Sequence, residues 1–288
     1  MDFDKLPRSF PPQHQCIQPG IESLMYPPPI FDNPDYKGSG KLKNKVALIT
    51  GGDSGIGRAV AIAFAKEGAN LAISYLYEDD DAKLTKKYIE HYGGECILIP
   101  GDISNKDVCS KIVDETIKHF NCLDILINNA GVQFTQSSIN NISSCQIQTT
   151  FSVNIYPMFY IIQTALPYMK KGSTIVNTAS VVAYQGNVRL IDYSATKGAV
   201  VTLTRSLSQS LVDENIRVNA VAPGPIWTPL IVSSFSAEEV ANFGSDVPMK
   251  RAGQPFELAP AYVYLASDDS SYVTGQVIHV NGGTMVDS

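Results

Sequence analysis

No stretch of the sequence is apolar for long enough to form a membrane-spanning helix, which takes about 18 consecutive apolar residues. The start, MDFDKLPRSFPPQ, also lacks the basic and apolar regions of a secretory signal peptide. We therefore expect a cytoplasmic protein with no membrane partner.

Cysteine pairs with the spacing of metal or redox sites are missing as well. The cysteines are odd in number, widely spaced and free of any CxxC pair: Cys16, Cys96, Cys109, Cys122 and Cys145. The histidines are isolated from one another. We expect neither a disulfide framework nor a metal site, which is in keeping with a reducing cytoplasm.

Positive charge is in the minority. The sequence has 22 Lys and Arg residues against 28 Asp and Glu residues, which gives a formal net charge of -6. Proteins that bind nucleic acid or anionic membranes usually carry a basic excess. We therefore expect no nucleic-acid partner and consider small molecules as ligands.

The first 42 residues are rich in proline, which leaves little room for helix or central strand. We predict an extension over residues 1–42 and a single domain over residues 43–288. The extension contains more apolar side chains, among them Phe10, Leu24 and Met25, than a solvated tail requires. Either it lies against the body of the protein or a neighbouring subunit, or it is a loose arm.

From residue 45 onward, short apolar or β-branched runs alternate with longer segments of helical period. This alternation is typical of βαβ units and predicts an α/β fold: a doubly wound parallel sheet of about seven strands with helices on both faces. The predicted strands are 46–50, 70–75, 95–99, 123–127, 174–177, 216–221 and 276–280. The clearest predicted helices are 56–67, 106–120, 152–169, 193–213 and 255–266. Ligands of such folds bind beyond the carboxyl ends of the strands.

A glycine turn joins the first predicted strand to the first predicted helix, in the order Thr50-Gly51-Gly52-Asp53-Ser54-Gly55-Ile56-Gly57. Glycines permit a tight turn and a close approach to a pyrophosphate, and the helix N-terminus offers free N–H groups. The turn therefore predicts a dinucleotide site. Strand–helix packing alone is the simpler alternative.

Tyr193 and Lys197 are four residues apart on a predicted helix, so their side chains lie on one face of it. A nearby cation favours a phenolate, and Lys197 is expected to lower the pKa of Tyr193 into a range useful for acid–base catalysis. Pairs of this spacing also occur by chance on helix surfaces. Ser180 follows a buried predicted strand and is placed at the ligand-binding sheet edge. Asn154, at the front of predicted helix 152–169, could equally be a capping residue.

Taken together, these residues resemble the short-chain dehydrogenase/reductase family, in its branch with Thr-Gly-x-x-x-Gly-x-Gly and Tyr-x-x-x-Lys motifs. The resemblance covers residues 43 to about 285 and includes the segments 50–57, 128–131 and 223–228, together with Asn154, Ser180, Tyr193 and Lys197. The Pro-rich front and the segment 249–255 are similar to a bacterial subgroup of uncharacterised or general-stress oxidoreductases.

The resemblance implies a single Rossmann-type domain that transfers a hydride between a nicotinamide cofactor and a carbonyl or alcohol carbon. Tyr193 would exchange the proton, and Lys197 would lower its pKa and hold the nicotinamide ribose. Ser180 would orient the carbonyl oxygen, and Asn154 would hold a water in the proton relay. A small carbonyl or alcohol substrate and a homotetramer are implied too.

The same resemblance assigns a set of residues to the cofactor: Gly51, Asp53, Ser54, Gly55, Ile56, Gly57, Tyr75, Asp102, Ile103, Asn129, Ala130, Gly131, Tyr193, Lys197, Pro223, Gly224, Ile226 and Thr228. Asp102 could instead cap the next helix, and segment 223–228 could be a plain turn. The usual discriminator between NAD and NADP ends the second strand, here Tyr75. Four carboxylates at 78–81 would repel a phosphate, so we predict NAD, with NADP as the alternative.

The apolar stretch 227–245 is either a mobile substrate lid or a packing surface. A cofactor-binding scaffold or redox sensor would keep the fold without catalysis, although all four catalytic positions are filled. A nucleotide-sugar epimerase or dehydratase would use the same tyrosine and lysine, but it needs a larger C-terminal domain than the roughly 90 residues after Lys197.

Overall fold

The computed structural model describes residues 1–285. Its strands are β1 Val46–Thr50, β2 Asn70–Tyr75, β3 Cys96–Pro100, β4 Ile125–Asn128, β5 Thr174–Thr178, β6 Arg217–Pro223 and β7 Val277–Val280. Its α-helices are α1 Gly55–Lys66, α2 Asp79–His91, α3 Lys106–Phe120, α4 Ser144–Asn154, α5 Tyr156–Ala165, α6 Val182–Gln185, α7 Ile191–Ser210, α8 Pro229–Val232, α9 Ala237–Ala241 and α10 Pro255–Ala266. Within the described residues, no helix is long and apolar enough to cross a membrane.

The strands form one sheet in the order β3-β2-β1-β4-β5-β6-β7, and every neighbouring pair is parallel. The predicted α/β fold with a doubly wound parallel sheet is confirmed. The strand order reverses between β1 and β4, so the loops after these strands diverge and leave a crevice at the carboxyl edge.

Strand β1 is buried along its whole length because helices cover both faces of the sheet. Ala47 and Ile49 pack in the core under α1 and α10, while Leu48, pointing the other way, packs under α3, α5 and α7. The sequence of such a strand is continuously apolar and does not alternate between apolar and polar residues. The sheet is therefore a rigid base for the loops at its carboxyl edge.

The predicted helix 152–169 is wrong in both its start and its continuity. Helix α4 begins at Ser144, where the Ser143 hydroxyl accepts a hydrogen bond from the Gln146 N–H at 3.1 Å. The helix is interrupted at Ile155, and α5 begins at Tyr156 with Pro157 as its second residue, which has no N–H to continue the bonding pattern of α4. Asn154 is thus the last residue of α4, at a helix break.

The extension lies against the loops at the carboxyl edge of the sheet. The Phe10 ring stacks on Trp227 with centroids 3.7 Å apart, and the Trp227 Nε1 donates to the Pro27 carbonyl at 2.9 Å. Phe10 and Met25 share a buried cluster with residues of α8 and α9. Part of the apolar stretch 227–245 is therefore a packing surface, and the extension is what packs on it.

Candidate active site

A cavity of about 920 Å³ opens at the carboxyl edge of the sheet. Its volume is near the upper end of the range of ligand pockets, about 300–1,000 Å³. It is lined by these predicted site residues: Gly51, Asp53, Ser54, Gly55, Ile56, Tyr75, Asp102, Ile103, Asn129, Ala130, Gly131, Ser180, Tyr193, Lys197, Pro223, Gly224, Ile226 and Thr228. Two predicted residues, Gly57 and Asn154, do not line it.

The glycine turn adopts backbone that other residues rarely tolerate. Gly51 and Gly55 have φ of 61° and 51°, and a Cβ on Gly55 would lie 3.1 Å from the side chain of Thr228. A Cβ on Gly57 would lie 1.9 Å from the Gly51 carbonyl oxygen. Gly57 therefore lets α1 approach the turn, and its predicted contact with the cofactor is not found among the cavity-lining residues.

Asn129 ties the end of β4 to this turn. Its side-chain Nδ2 donates to the Gly51 carbonyl at 3.0 Å, and its backbone N–H donates to the Thr50 hydroxyl at 3.0 Å. On the other side, Asp102 accepts from the Ser104 N–H at 2.9 Å, whereas Asn105 caps α3. The alternative in which Asp102 caps the helix is therefore wrong.

Ser180, Tyr193 and Lys197 come together on one wall of the cavity. Ser180 follows β5, and its hydroxyl lies close enough to the Tyr193 hydroxyl to affect the Tyr193 pKa. The Lys197 ammonium donates to the Thr178 carbonyl at 2.7 Å and lies 5.5 Å from the centroid of the Tyr193 ring. Helix α7 and the loop after β5 therefore place a phenol, a cation and an aliphatic hydroxyl beside one another.

Burial decides the protonation of both groups on α7. It raises the pKa of Tyr193 to about 12, against the lowering effect of the Ser180 hydrogen bond. It lowers the pKa of Lys197 to about 8. The expected lowering of the Tyr193 pKa by Lys197 is not found in this structure, because burial of the hydroxyl raises that pKa and Lys197 is not among the causes of the shift.

Asn154 lies behind this wall and is buried. Its Oδ1 accepts from the Val132 N–H at 2.8 Å, and its Nδ2 donates to the Val132 carbonyl at 2.9 Å and the Thr196 hydroxyl at 3.1 Å. The side chain thus holds the loop after β4 against α7. An enclosed pocket of about 10 Å³, roughly the room for one water, is lined by Asn154, Thr178 and Lys197.

The four carboxylates after β2 have different surroundings. Asp79 accepts from the Tyr75 hydroxyl at 2.7 Å, Asp80 is exposed, and Asp81 is buried and paired with Arg58. Glu78 is buried, lines the cavity, and its Oε1 has no hydrogen-bond partner among residues 1–285.

Asp53, in the glycine turn, is close to Glu78. Its burial and the Glu78 charge raise the pKa of Asp53 to about 7. A buried carboxylate oxygen without a partner suits the hydroxyls of a ribose, and the amides at the start of α1 suit a pyrophosphate. The residues present therefore fit a dinucleotide.

A sequence model for a family described as enoyl-(acyl carrier protein) reductase matches residues 51–285. Three relatives match nearly end to end. An uncharacterized oxidoreductase of Bacillus subtilis (strain 168), YhxC, is 61% identical over 279 residues, with 97% of each chain covered. The chain belongs to the short-chain dehydrogenase/reductase family.

Two plant members of the family are almost as similar to it. The glucose and ribitol dehydrogenase of Daucus carota is 51% identical, with 96% of this chain and 97% of the relative covered. The chloroplastic NADPH-dependent aldehyde reductase 1 of Arabidopsis thaliana is 50% identical, with 96% and 98% covered.

Solved structures of the family superpose closely. A short-chain dehydrogenase from Burkholderia cenocepacia J2315, in complex with NADP, has a TM-score of 0.79 at 28% identity, covering 84% of this chain and 98% of that one. A 3-ketoacyl-(acyl-carrier-protein) reductase from Brucella melitensis, complexed with NADH, has a TM-score of 0.77 at 30% identity, covering 85% and 100%.

The cavity also has lining residues that the sequence analysis did not predict. Gln18 and Pro19 of the extension line the cavity. The Gln18 side-chain amide is hydrogen-bonded to Gln133, in the loop after β4, and to Ser234, after α8. Nothing in the Pro-rich sequence marks these residues, because their role depends on where the extension docks. Leu230 and Phe235 line the cavity as well, from the stretch that packs on the extension.

Proposed function

We propose that this chain is a nicotinamide-dependent oxidoreductase that interconverts a carbonyl and an alcohol on a small, partly apolar substrate. The observation that carries the proposal is the shared wall of Ser180, Tyr193 and Lys197 in the cavity that the glycine turn also lines. When bound, the nicotinamide supplies or accepts the hydride. What remains for the protein is to place the substrate oxygen and to move one proton.

In the reducing direction, Ser180 and Tyr193 would both meet the carbonyl oxygen. The Ser180 hydroxyl orients that oxygen by hydrogen bonding. The Tyr193 O–H, kept protonated by burial, transfers its proton to the oxygen as negative charge develops there. In the oxidising direction the order is reversed: Tyr193 first loses its own proton, and the resulting phenolate accepts the proton of the alcohol.

Lys197 would resupply the proton that Tyr193 gives up, by way of a water in the small pocket that Lys197 lines, and it would also hold the nicotinamide ribose. With a pKa lowered to about 8, its ammonium is mostly protonated at pH 7 yet releases a proton readily. The pocket that Asn154 shares with Lys197 is where the relay water would lie. Asn154 would hold this water in the proton relay, although its side chain is also hydrogen-bonded to Val132.

Both nicotinamide dinucleotides occur among the relatives, and we propose NAD as the preferred one. The unpaired Oε1 of buried Glu78 supports this, since a carboxylate accepts from a ribose hydroxyl but repels a 2'-phosphate. The NADPH-dependent plant relative makes NADP the alternative.

The direct test is absorbance at 340 nm with NADH and NADPH against a panel of aldehydes, ketones, sugars and polyols. The panel includes an enoyl thioester, because the matching family model carries that description. Turnover of a carbonyl or alcohol is expected. Tight dinucleotide binding without turnover on any member of the panel would favour a catalytically silent scaffold or redox sensor instead.

We also propose that the chain forms a homotetramer. Ile147 of α4 and Tyr156 and Phe159 of α5 are between 44% and 45% exposed, which supports a contact through these helices. Light scattering of the purified protein tests this, and a monomer at micromolar concentration would reject it.

A further inference from the structure

Glu22, in the extension, is buried against the glycine turn, with only 2% of the residue exposed. Its Oε2 accepts a hydrogen bond from the Gly55 N–H at 2.6 Å, and its Oε1 is ion-paired with the Arg58 guanidinium. Gly55 and Arg58 are the first and fourth residues of α1. One carboxylate therefore holds both ends of the first turn of this helix.

The contacts of Arg58 close this arrangement into a buried network. Its Nε donates to the Asp53 carbonyl at 2.9 Å, and its Nη2 donates to the Asp81 carbonyl at 3.0 Å. The Asp81 carboxylate in turn accepts from the Glu22 N–H at 2.8 Å. The network joins the extension, the glycine turn and α2. Without Glu22, Asp81 would still pair with the buried Arg58.

Glu22 pairs with one of the free N–H groups at the start of α1 and, in the described part of the chain, leaves the next one free. Helix N-termini leave their first N–H groups unpaired within the helix, and Glu22 takes that of Gly55. Within residues 1–285, the N–H of Ile56 has no acceptor, and Ile56 lines the cavity. The carboxylate thus fixes the left-handed Gly55 while the next amide stays available to an anion.

We propose that Glu22 is a positioning residue of the dinucleotide site, through which the N-terminal extension sets the affinity for the pyrophosphate. This rests on the proposed function, because it assumes that a nicotinamide dinucleotide binds at the turn. Glu22 does not line the cavity, so it acts through Gly55 and Arg58. A turn held in its binding geometry before the ligand arrives loses less entropy on binding.

Two variants separate this role from a general effect on the extension. Glu22→Ala removes both contacts. Glu22→Gln keeps the shape, but Gly55 and Arg58 are both donors and an amide has one acceptor atom, so one contact is lost. Asp4→Asn is the matched control, because Asp4 is an exposed carboxylate of the same extension.

The measurement is the Kd for NADH by isothermal titration calorimetry. We expect Kd to rise about tenfold or more in Glu22→Ala, which loses both charged contacts, and about threefold in Glu22→Gln, which keeps one contact. Asp4→Asn is expected to stay within about twofold of wild type. The kcat at saturating NADH should change less than the KM for NADH, since the wall formed by Ser180 and Tyr193 is untouched.

Trp227 is the single tryptophan of the chain and stacks on Phe10, so its emission reports whether the extension is docked. A docked Glu22→Ala with the Kd of wild type overturns the inference. If Glu22→Ala undocks or unfolds, Glu22→Gln decides: a threefold rise in Kd supports the inference, and a wild-type Kd overturns it. A wild-type protein that binds neither NADH nor NADPH contradicts the proposed function itself.

Discussion

The ammonium nitrogen of Lys197 lies 2.7 Å from the carbonyl oxygen of Thr178, the last residue of β5. Among the described residues no carboxylate forms an ion pair with it, and it is only 4% exposed. Burial of a cation with a carbonyl as its partner is unfavourable for folding. We infer that Lys197 is kept for its chemistry at the expense of stability.

The first prediction concerns the stability of Lys197→Met. The pKa of Lys197 falls from 10.5 to about 8 on folding, which corresponds to roughly 3 kcal/mol against folding at pH 7. The lost hydrogen bond to Thr178 offsets about 1–3 kcal/mol of that gain. We expect the variant to be at least as stable as wild type in urea unfolding at pH 7.

The stability difference between Lys197→Met and wild type should depend on pH. The unfolded chain binds more protons at Lys197 between pH 8 and 10.5, so this group's contribution makes wild type more stable as pH rises through that window. The advantage of Lys197→Met should therefore be complete below pH 8 and disappear towards pH 10.5. A variant that is less stable by more than about 2 kcal/mol at pH 7 would contradict the desolvation argument.

The second prediction concerns the direction of the reaction. Because the pKa of Tyr193 is raised to about 12, the phenol is protonated at pH 6–9 and ready to donate. Carbonyl reduction should change little from pH 6 to about pH 7.5, below the pKa of Lys197, whereas alcohol oxidation, in which Tyr193 must accept a proton, should rise by up to about tenfold per pH unit. Steady-state kcat/KM in both directions, with dinucleotide Kd measured at each pH as the control, tests this. An oxidation rate that is flat from pH 7 to 9 would argue against it.

The third prediction concerns Glu78 and the choice of dinucleotide. Glu78→Gln removes the buried charge that would face a 2'-phosphate. We expect the ratio of the Kd for NADPH to that for NADH to fall by about tenfold, which is a modest electrostatic effect of about 1.4 kcal/mol. Asp80→Asn, an exposed carboxylate two residues away, is the matched control and should leave the ratio unchanged. If the ratio of the Kd for NADPH to that for NADH were the same in both variants, Glu78 would not determine the choice of dinucleotide.

The fourth prediction concerns the docking of the extension. Phe10 is 4% exposed and packs in one cluster with Trp227, Ile231 and Val240. Phe10→Ala should destabilise the protein by about 3–5 kcal/mol, the usual range for a buried phenylalanine, and shift the Trp227 emission to longer wavelength. Phe3→Ala, with Phe3 56% exposed, provides the comparison. Unchanged emission in Phe10→Ala would mean that the extension is not docked as described.

The sheet and the glycine turn could be predicted from the sequence because their signals are local. The run Val46–Thr50 is buried on both faces and therefore continuously apolar, and the turn needs glycines at Gly51 and Gly55 for their positive φ. The position of Ser180 and Tyr193 at one sheet edge follows from the parallel topology.

Other features depend on contacts distant in sequence, so local patterns could not give them. The break after Asn154 follows from Pro157 and from the side chain's bonds to Val132, in a different loop. The direction of the Tyr193 pKa depends on how deeply α7 is buried. In the sequence, nothing distinguishes Glu22 from other acidic residues, because its contact with Gly55 forms only when the extension folds back onto the glycine turn.

The measurement that tests the central claim most directly is turnover at 340 nm by Tyr193→Phe, with its NADH affinity determined in parallel. Phenylalanine keeps the ring and removes the hydroxyl that exchanges the proton. We predict a fall in kcat of about 10²–10⁴-fold, with the Kd for NADH within about threefold of wild type. The control Tyr272→Phe, at a fully exposed tyrosine, should match wild type. A Tyr193→Phe protein that keeps wild-type turnover would contradict the account.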